Sequence, residues 1–252
     1  MINILMHGCN GKMGKVITHL VAEDENAVIT AGVDAYDGSI SGGYPVFSSL
    51  SECDIAADVI IDFSNAQAVD GLLDYAVAGK IPVVLCTTGL SEEQLDKVEA
   101  ASKHVAVLRS ANMSIGINVM FRLLKEAVSR FAPEGFDVEI VEKHHNQKLD
   151  APSGTAIALA DAMNEEMNGM YEYVYDRSQV RQKRDKKELG ISAVRGGNIV
   201  GEHDVIFAGT DEVITISHSA SSKAIFAKGA IAAAKYLAGR TPGLYDMSDV
   251  MA

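Results

Sequence analysis

The chain has 252 residues, 48% of them hydrophobic and 22% charged, with a formal net charge of −12. That length suffices for one large domain or two small ones with real cores, and the composition is that of an ordinary globular protein. The acidic balance argues against a nucleic-acid or anionic-membrane partner, and no apolar run reaches membrane-spanning length. Cys9, Cys53 and Cys86 are odd in number and form no C-x-x-C pair, which reads as reduced thiols in a cytoplasmic protein. The apolar run at residues 2–6 has no basic region before it and is too short for a secretory signal.

Residues 2–6 read as a buried strand. A turn follows at Gly8-Cys9-Asn10-Gly11-Lys12-Met13-Gly14, then a helix over 15–23 with Val16, Ile17 and Leu20 on one face. Residues 28–34 read as a second strand that closes on Asp34. A β-α-β unit with a glycine-rich first turn and an acid ending the second strand is the dinucleotide-binding fingerprint in outline, although G-x-x-G-x-x-G is not its commonest spacing. The glycines permit a tight turn that brings backbone N–H groups to a pyrophosphate, and Asp34 would accept hydrogen bonds from ribose hydroxyls.

Residues 35–53 read as loop, including Asp37-Gly38-Ser39 and Ser41-Gly42-Gly43. Apolar strands over 57–62, 81–86 and 105–108 alternate with helices over 66–78, 92–102 and 117–130. That alternation predicts an α/β fold, a Rossmann-type doubly wound parallel sheet whose ligands bind at the carboxyl ends of its strands. Those ends are Gly8 to Met13, Asp34, Phe63-Ser64, Cys86-Thr87-Thr88 and Ser110-Ala111-Asn112-Met113.

Beyond residue 135 the texture changes. Charged and half-exposed strands over 136–142, 191–194, 200–207 and 213–217 predict a second, α+β domain with a mixed or antiparallel sheet, one face of which can pair with another subunit. The charge-dense run 181–188 reads as a solvated face. An alanine-rich helix over 226–237 suggests a return to the first domain. The expected division is 1–113 with 222–252 for the cofactor, and 114–221 for substrate and oligomerisation.

The segment Glu142-Lys143-His144-His145-Asn146-Gln147-Lys148-Leu149-Asp150-Ala151-Pro152-Ser153-Gly154-Thr155-Ala156 concentrates the chemistry. It runs from a strand, through cationic and titratable side chains, to a hydroxyl-capped helix start over 155–167. Backbone N–H groups there suit a carboxylate, and a histidine can carry a proton near neutral pH. A metal fits poorly: neighbours on extended backbone point to opposite sides, so His144 and His145 would not share an ion, and Lys143 and Lys148 would repel one.

This segment resembles the signature E-x-H-H-x-x-K-x-D-A-P-S-G-T-A of the dihydrodipicolinate reductase family, matched in full. The likeness extends through the glycine turn, Asp62-Phe63-Ser64, Thr87-Thr88-Gly89, Ser110-Ala111-Asn112, Val194-Arg195-Gly196-Gly197 to Gly201-Glu202-His203, and Ala220-Ser221-Ser222-Lys223. The resemblance implies NADH- or NADPH-dependent reduction of 4-hydroxy-tetrahydrodipicolinate, via dihydrodipicolinate, to tetrahydrodipicolinate in diaminopimelate and lysine biosynthesis. It implies His144 as proton donor with Lys148 as its catalytic partner, and His145, Ser153, Gly154 and Thr155 around a substrate carboxylate. Gly8, Cys9, Asn10, Gly11, Lys12, Met13, Asp34, Cys86, Thr87, Thr88, Ser110, Ala111, Asn112, Met113, Lys223 and Phe226 would hold the cofactor, and the assembly would be a homotetramer. Two departures stand out. Cys86 replaces a glycine before Thr-Thr-Gly, and Ala35 follows Asp34 where members often carry an arginine suited to a 2′-phosphate; the second tilts the expectation toward NADH. Lys143, Lys148 and His145 would attract the substrate carboxylates. A nucleotide-binding sensor without turnover and an amino-acid dehydrogenase are the competing readings, and neither gives the paired histidines a task.

Overall fold

The structure is a computed structural model that describes residues 1–36 and 42–252. The expected loop at Asp37-Gly38-Ser39 and Ser41 lies outside the described residues. In chain order the elements are β1 (Ile2–His7), α1 (Lys12–Ala22), β2 (Ala27–Val33), β3 (Val46–Phe47), β4 (Val59–Asp62), α2 (Ala66–Gly79), β5 (Val83–Leu85), α3 (Glu92–Ser102) and β6 (Ala106–Leu108). There follow α4 (Ile115–Phe131), β7 (Asp137–His144), α5 (Gly154–Glu166), β8 (Glu172–Tyr175), β9 (Glu188–Arg195), β10 (Gly201–Ala208) and β11 (Val213–Ala220). The chain ends with α6 (Ala224–Leu237), β12 (Gly243–Tyr245) and α7 (Met247–Val250). It divides into two compact units, Met1–Ile115 with Ala224–Ala252, and Gly116–Lys223.

The first unit holds a parallel sheet in the order β12-β6-β5-β4-β1-β2-β3. Its central strands β4, β5 and β6 are apolar up to Asp62 at the carboxyl end of β4, because both faces are covered. Ile4, Met6, Ile61 and Leu108 pack with Ala227, Ala230 and Leu237 of α6, while Leu5, Ile60, Leu85 and Val107 pack with Leu72 and Leu73 of α2 and Val98 of α3. Each of the larger side chains here, leucine, isoleucine, valine or methionine, contributes about 1.5–3 kcal/mol by leaving water. From β1 the chain steps outward to β2 and β3, then returns to β4 on the other side of β1. That reversal opens a crevice at the carboxyl ends of β1 and β4. Two strands of this sheet were not anticipated, β3 within a segment read as loop and β12 at the edge beside β6; at two and three residues they carry too little pattern to read.

The second unit holds a mixed sheet in the order β11-β10-β7-β9-β8, with β7 at its centre. Strand β7 runs antiparallel to β10 and parallel to β9. Val138 and Ile140 of β7, Leu189 and Ile191 of β9, and Val205 and Phe207 of β10 form a core with Leu124 of α4 and Leu159 of α5. Toward the carboxyl end of β7 the same face turns polar, with Glu142 and His144 buried and His203 buried on β10.

The charge-dense run departs from expectation. Residues 181–183 and 185–187 are exposed, but the Arg184 side chain is only 17% exposed. Its guanidinium donates to Glu139 at 2.9 Å, Asp137 at 2.9 Å, and the carbonyls of Val138 at 2.8 Å and Glu188 at 2.6 Å. Glu188 is buried and pairs with Arg177. The reason is local: a planar fork suits the paired carboxylates and open carbonyls at the starts of β7 and β9 better than water does.

Candidate active site

In the first unit, the backbone turns from β1 into α1 at Gly8, whose φ is +79°. A Cβ here would lie 2.5 Å from the Phe63 carbonyl oxygen, so glycine is required by both dihedral and space. Gly11 precedes α1, and among the described residues no side chain caps that helix start. Asp34 accepts from the Asn10 backbone N–H at 2.8 Å and the Tyr36 N–H at 2.9 Å, which leaves its carboxylate further acceptor sites. His7, Gly8, Gly11, Asp34, Ala35, Phe63, Ser64, Asn65 and Ala68 line a cavity of about 230 Å³. His7 Nδ1 lies 2.7 Å from Asp62 Oδ1, and the buried Asp62 Oδ2 and Asn10 Oδ1 have no hydrogen-bond partner among the described residues.

Of the other residues expected around a nucleotide, Cys86 to Thr88 and Ser110 to Met113 follow the carboxyl ends of β5 and β6 of the same sheet. Thr87 is buried after β5, with its hydroxyl 3.5 Å from that of Ser64, and Thr88 is exposed. Cys86 packs against the core, and burial, then the neighbouring Asp62, push its thiol well above the usual range. The Cys9 side chain is fully buried, its thiol pushed up to about 11 by burial and Asp34, and so closed to any ligand. Ser110, Ala111, Asn112 and Met113 follow β6; Asn112 and Met113 are buried, and the Ser114 N–H bonds Asn112 at 2.8 Å. Lys12 is exposed, while Met13 and Phe226 pack against the core and Lys223 is exposed just before α6. An uncapped helix start, a cradle that a Cβ would fill, a carboxylate with spare acceptor sites and two orphaned buried oxygens suit a dinucleotide.

In the second unit, Glu142 is completely buried and lies at the centre of a hydrogen-bonded cluster. Its Oε2 is 2.6 Å from His144 Nδ1 and accepts from Arg195 Nη1 at 2.8 Å. Its Oε1 accepts from the Ser153 backbone N–H at 2.9 Å and Arg195 Nη2 at 2.7 Å. Burial favours the neutral acid, but the bonds from Arg195, His144 and Ser153 prevail and hold the carboxyl below its ordinary range. His144 is 8% exposed, with its ring edge-on to His203 at 5.2 Å between centroids. Ser153 caps α5 by accepting from the Ala156 N–H at 3.2 Å, and its hydroxyl also lies 3.2 Å from His203 Nε2. Burial, then the charge of His144, lowers His203 to about 4, so it is neutral near pH 7.

His145 and Thr155 are half-buried and Gly154 exposed at the same end of the unit. Lys148 Nζ lies 2.8 Å from Asp150 Oδ1, and that hydrogen bond holds Asp150 below the usual carboxylate range. Lys143 departs from the expectation that it attracts a substrate carboxylate. It alternates to the opposite sheet face from His144 and bonds Glu202 at 3.1 Å and Asp204 at 3.0 Å. Glu142, Arg195 and His203 were absent from the expected site. Glu142 carried a legible signal, a carboxylate on the same parity as the apolar Val138 and Ile140, and the other two carried none beyond the stretches of family likeness in which they lie.

A Rossmann-type nucleotide-binding unit followed by a mixed-sheet unit with a buried acid–base cluster defines a nicotinamide-nucleotide-dependent oxidoreductase of two-unit α/β architecture. Family models of the amino- and carboxyl-terminal parts of dihydrodipicolinate reductase match residues 2–113 and 116–251. The 4-hydroxy-tetrahydrodipicolinate reductase of Caldanaerobacter subterraneus subsp. tengcongensis is 55% identical, covering 100% of this chain and 98% of that protein. That of Clostridium novyi is 49% identical, covering 100% and 98%. A solved dipicolinate-bound dihydrodipicolinate reductase from a Paenisporosarcina species superposes with a TM-score of 0.82 at 25% identity, covering 98% of this chain and 97% of that one. The chain belongs to the dihydrodipicolinate reductase family.

Among the described residues no helix is long and apolar enough to cross a membrane.

Proposed function

We propose that the protein reduces 4-hydroxy-tetrahydrodipicolinate, via dihydrodipicolinate, to tetrahydrodipicolinate in the diaminopimelate route to lysine. The observation that carries this is the His144–Glu142–Ser153 cluster, in which a buried imidazole and a capped helix start share one carboxylate. The first unit binds NADH or NADPH at the β1–β4 crevice, and the second binds the dicarboxylate. Reduced nicotinamide supplies the hydride. The substrate ring loses water, accepts that hydride at C4 and takes a proton at a second carbon. His144 donates this proton from its ring, and Lys148 is its catalytic partner. Ser153, Gly154 and Thr155 receive a substrate carboxylate at the positive end of α5, with His145 alongside.

NADH is the preferred cofactor on this reading. Asp34 suits a ribose diol and repels a 2′-phosphate, and Ala35 offers that phosphate no cation. The protein acts in the cytoplasm as a homotetramer assembled through the sheet face that carries the exposed Val194 and Val213. The test is oxidation of NADH and NADPH in parallel, with substrate generated in place from pyruvate and aspartate semialdehyde by the preceding synthase. Oxidation that depends on the synthase product supports the assignment. A folded protein that binds NADH yet oxidises it with no synthase product would refute it.

A further inference from the structure

The carboxylate sites just described leave Glu142 and Arg195 without a role in the proton transfer, although each makes four hydrogen bonds beside His144. Four hydrogen bonds converge on the Glu142 carboxylate, two at each oxygen. Arg195 Nη2 continues to the Asp150 carbonyl at 2.7 Å, so the same guanidinium also ties down the loop that carries Lys148. A fully buried carboxylate stays ionised only with such partners, because burial strips it of the water that would otherwise stabilise its charge.

We propose that Glu142 and Arg195 are positioning residues: ionised Glu142, clamped by Arg195, fixes the proton on His144 Nδ1, makes Nε2 the only nitrogen that exchanges a proton with substrate, and ties that ring to the start of α5. The proposal rests on the reading of His144 as proton donor.

An ionised carboxylate accepts and cannot donate, so the bond at Nδ1 requires a proton on Nδ1 in both charge states of the ring. Nε2 is left to load and release the transferred proton. Nε2 faces the backbone of Gly201, where an added Cβ would lie 3.0 Å away. Through Oε1 the same carboxylate holds the Ser153 N–H at the first turn of α5. Proton donor and helix start therefore share one anchor. Arg195 has a second effect. A lone carboxylate at that distance would hold the imidazolium proton tightly, and the bidentate guanidinium offsets its charge so that the proton can leave. The charged or titratable groups around His144 are Glu142 on β7, Arg195 on β9, His203 on β10 with His218 behind it on β11, and the Lys148–Asp150 pair in the loop. His203 is neutral at working pH, which leaves Glu142 and Arg195 as the charges bonded directly at the His144 ring and its carboxylate.

The test is the pH profile of kcat/KM for the full-length enzyme, Glu142→Gln, Arg195→Gln and His144→Gln. A general acid makes kcat/KM fall as pH rises. Removing the anion should move that fall down by about one pH unit, and removing the guanidinium should move it up by about one, each with a loss of tenfold or more at the optimum. Opposite shifts are a signature that simple loss of structure does not produce. Midpoints unmoved in both variants overturn the positioning role. If His144→Gln retains turnover and the same high-pH fall, the proton-donor reading itself is wrong, which is a separate failure. A measurement on the unsubstituted protein guards against variants that fold poorly. Long-range 15N–1H NMR of the histidine rings should show the neutral His144 ring protonated at Nδ1, and an Nε2–H tautomer there overturns the proposal.

Discussion

Replacing Gly201 by alanine tests the proton-transfer geometry without touching a titratable group. The new Cβ would lie 3.0 Å from His144 Nε2 and 3.4 Å from its Cδ2, so ring or strand must yield by a few tenths of an ångström. The ring has little freedom to do so. Nδ1 is bonded to Glu142 at 2.6 Å, and the ring meets His203 edge-on. Forcing it off its rotamer costs about 0.5–1.5 kcal/mol. A misplacement of 1 Å at a reacting centre costs about 100-fold in rate, so a few tenths cost several-fold. With a methyl group crowding Nε2, kcat/KM should fall about tenfold, equivalent to about 1.4 kcal/mol in the barrier. The melting temperature should drop by only about 2–4 °C, and the NADH affinity measured by fluorescence titration should not change. Valine should cost more than alanine. Turnover within twofold of the unsubstituted protein for both variants would refute the placement of the reacting nitrogen beside Gly201.

Three further outcomes follow from the same geometry. Ala35→Arg puts a guanidinium next to Asp34 and should raise the NADPH-to-NADH ratio of kcat/KM about tenfold or more; an unmoved ratio would show that the 2′-phosphate does not approach this corner. His203, lowered to about 4 mainly by burial, stays unprotonated in the folded state where the unfolded chain binds a proton, so stability is present above pH 6.5 and is lost as pH falls toward 4. The loss amounts to about 3 kcal/mol at most, and urea melts of His203→Asn should show a weaker decline across that window; equal declines would contradict the assignment. Arg184→Gln strands Glu139, Asp137 and two strand carbonyls, and should cost about 2–4 kcal/mol in urea unfolding despite its place in a charge-rich run; a change below 0.5 kcal/mol would mean the fork is solvated after all.

The sequence made local and periodic features legible, and missed those that depend on distant registry. The glycine turn, the apolar strands and the Ser153 cap each declare themselves within about a dozen residues, because dihedral need, two-sided burial and capping chemistry are local demands. Period-two alternation along β7 put Glu142 on the inward face with Val138 and Ile140, and the same alternation puts Lys143 on the other face, against its expected role as a carboxylate attractor. The partners of Glu142 could not be read. Arg195 reaches it because β9 lies parallel to β7 with Arg195 opposite His144, and from the antiparallel β10 His203 reaches the Ser153 hydroxyl and the His144 ring beside it. Neither pairing leaves a trace in local composition. Arg184 was misread for a related reason: composition favours solvent for such a run, and only the strand starts it meets make Arg184 half-buried and Glu188 buried.

The reductase assignment is tested most directly by where the cofactor's hydrogen goes. The enzyme would be supplied with the synthase product and with NADH deuterated at both C4 positions of the nicotinamide ring, in ordinary water, and the reduced product analysed by mass spectrometry. Hydride transfer to the ring predicts a product one mass unit heavier, with the label on the ring carbon that is reduced, in parallel with NADH consumption. A product without cofactor deuterium, or cofactor oxidation with no labelled dicarboxylate formed, would contradict it.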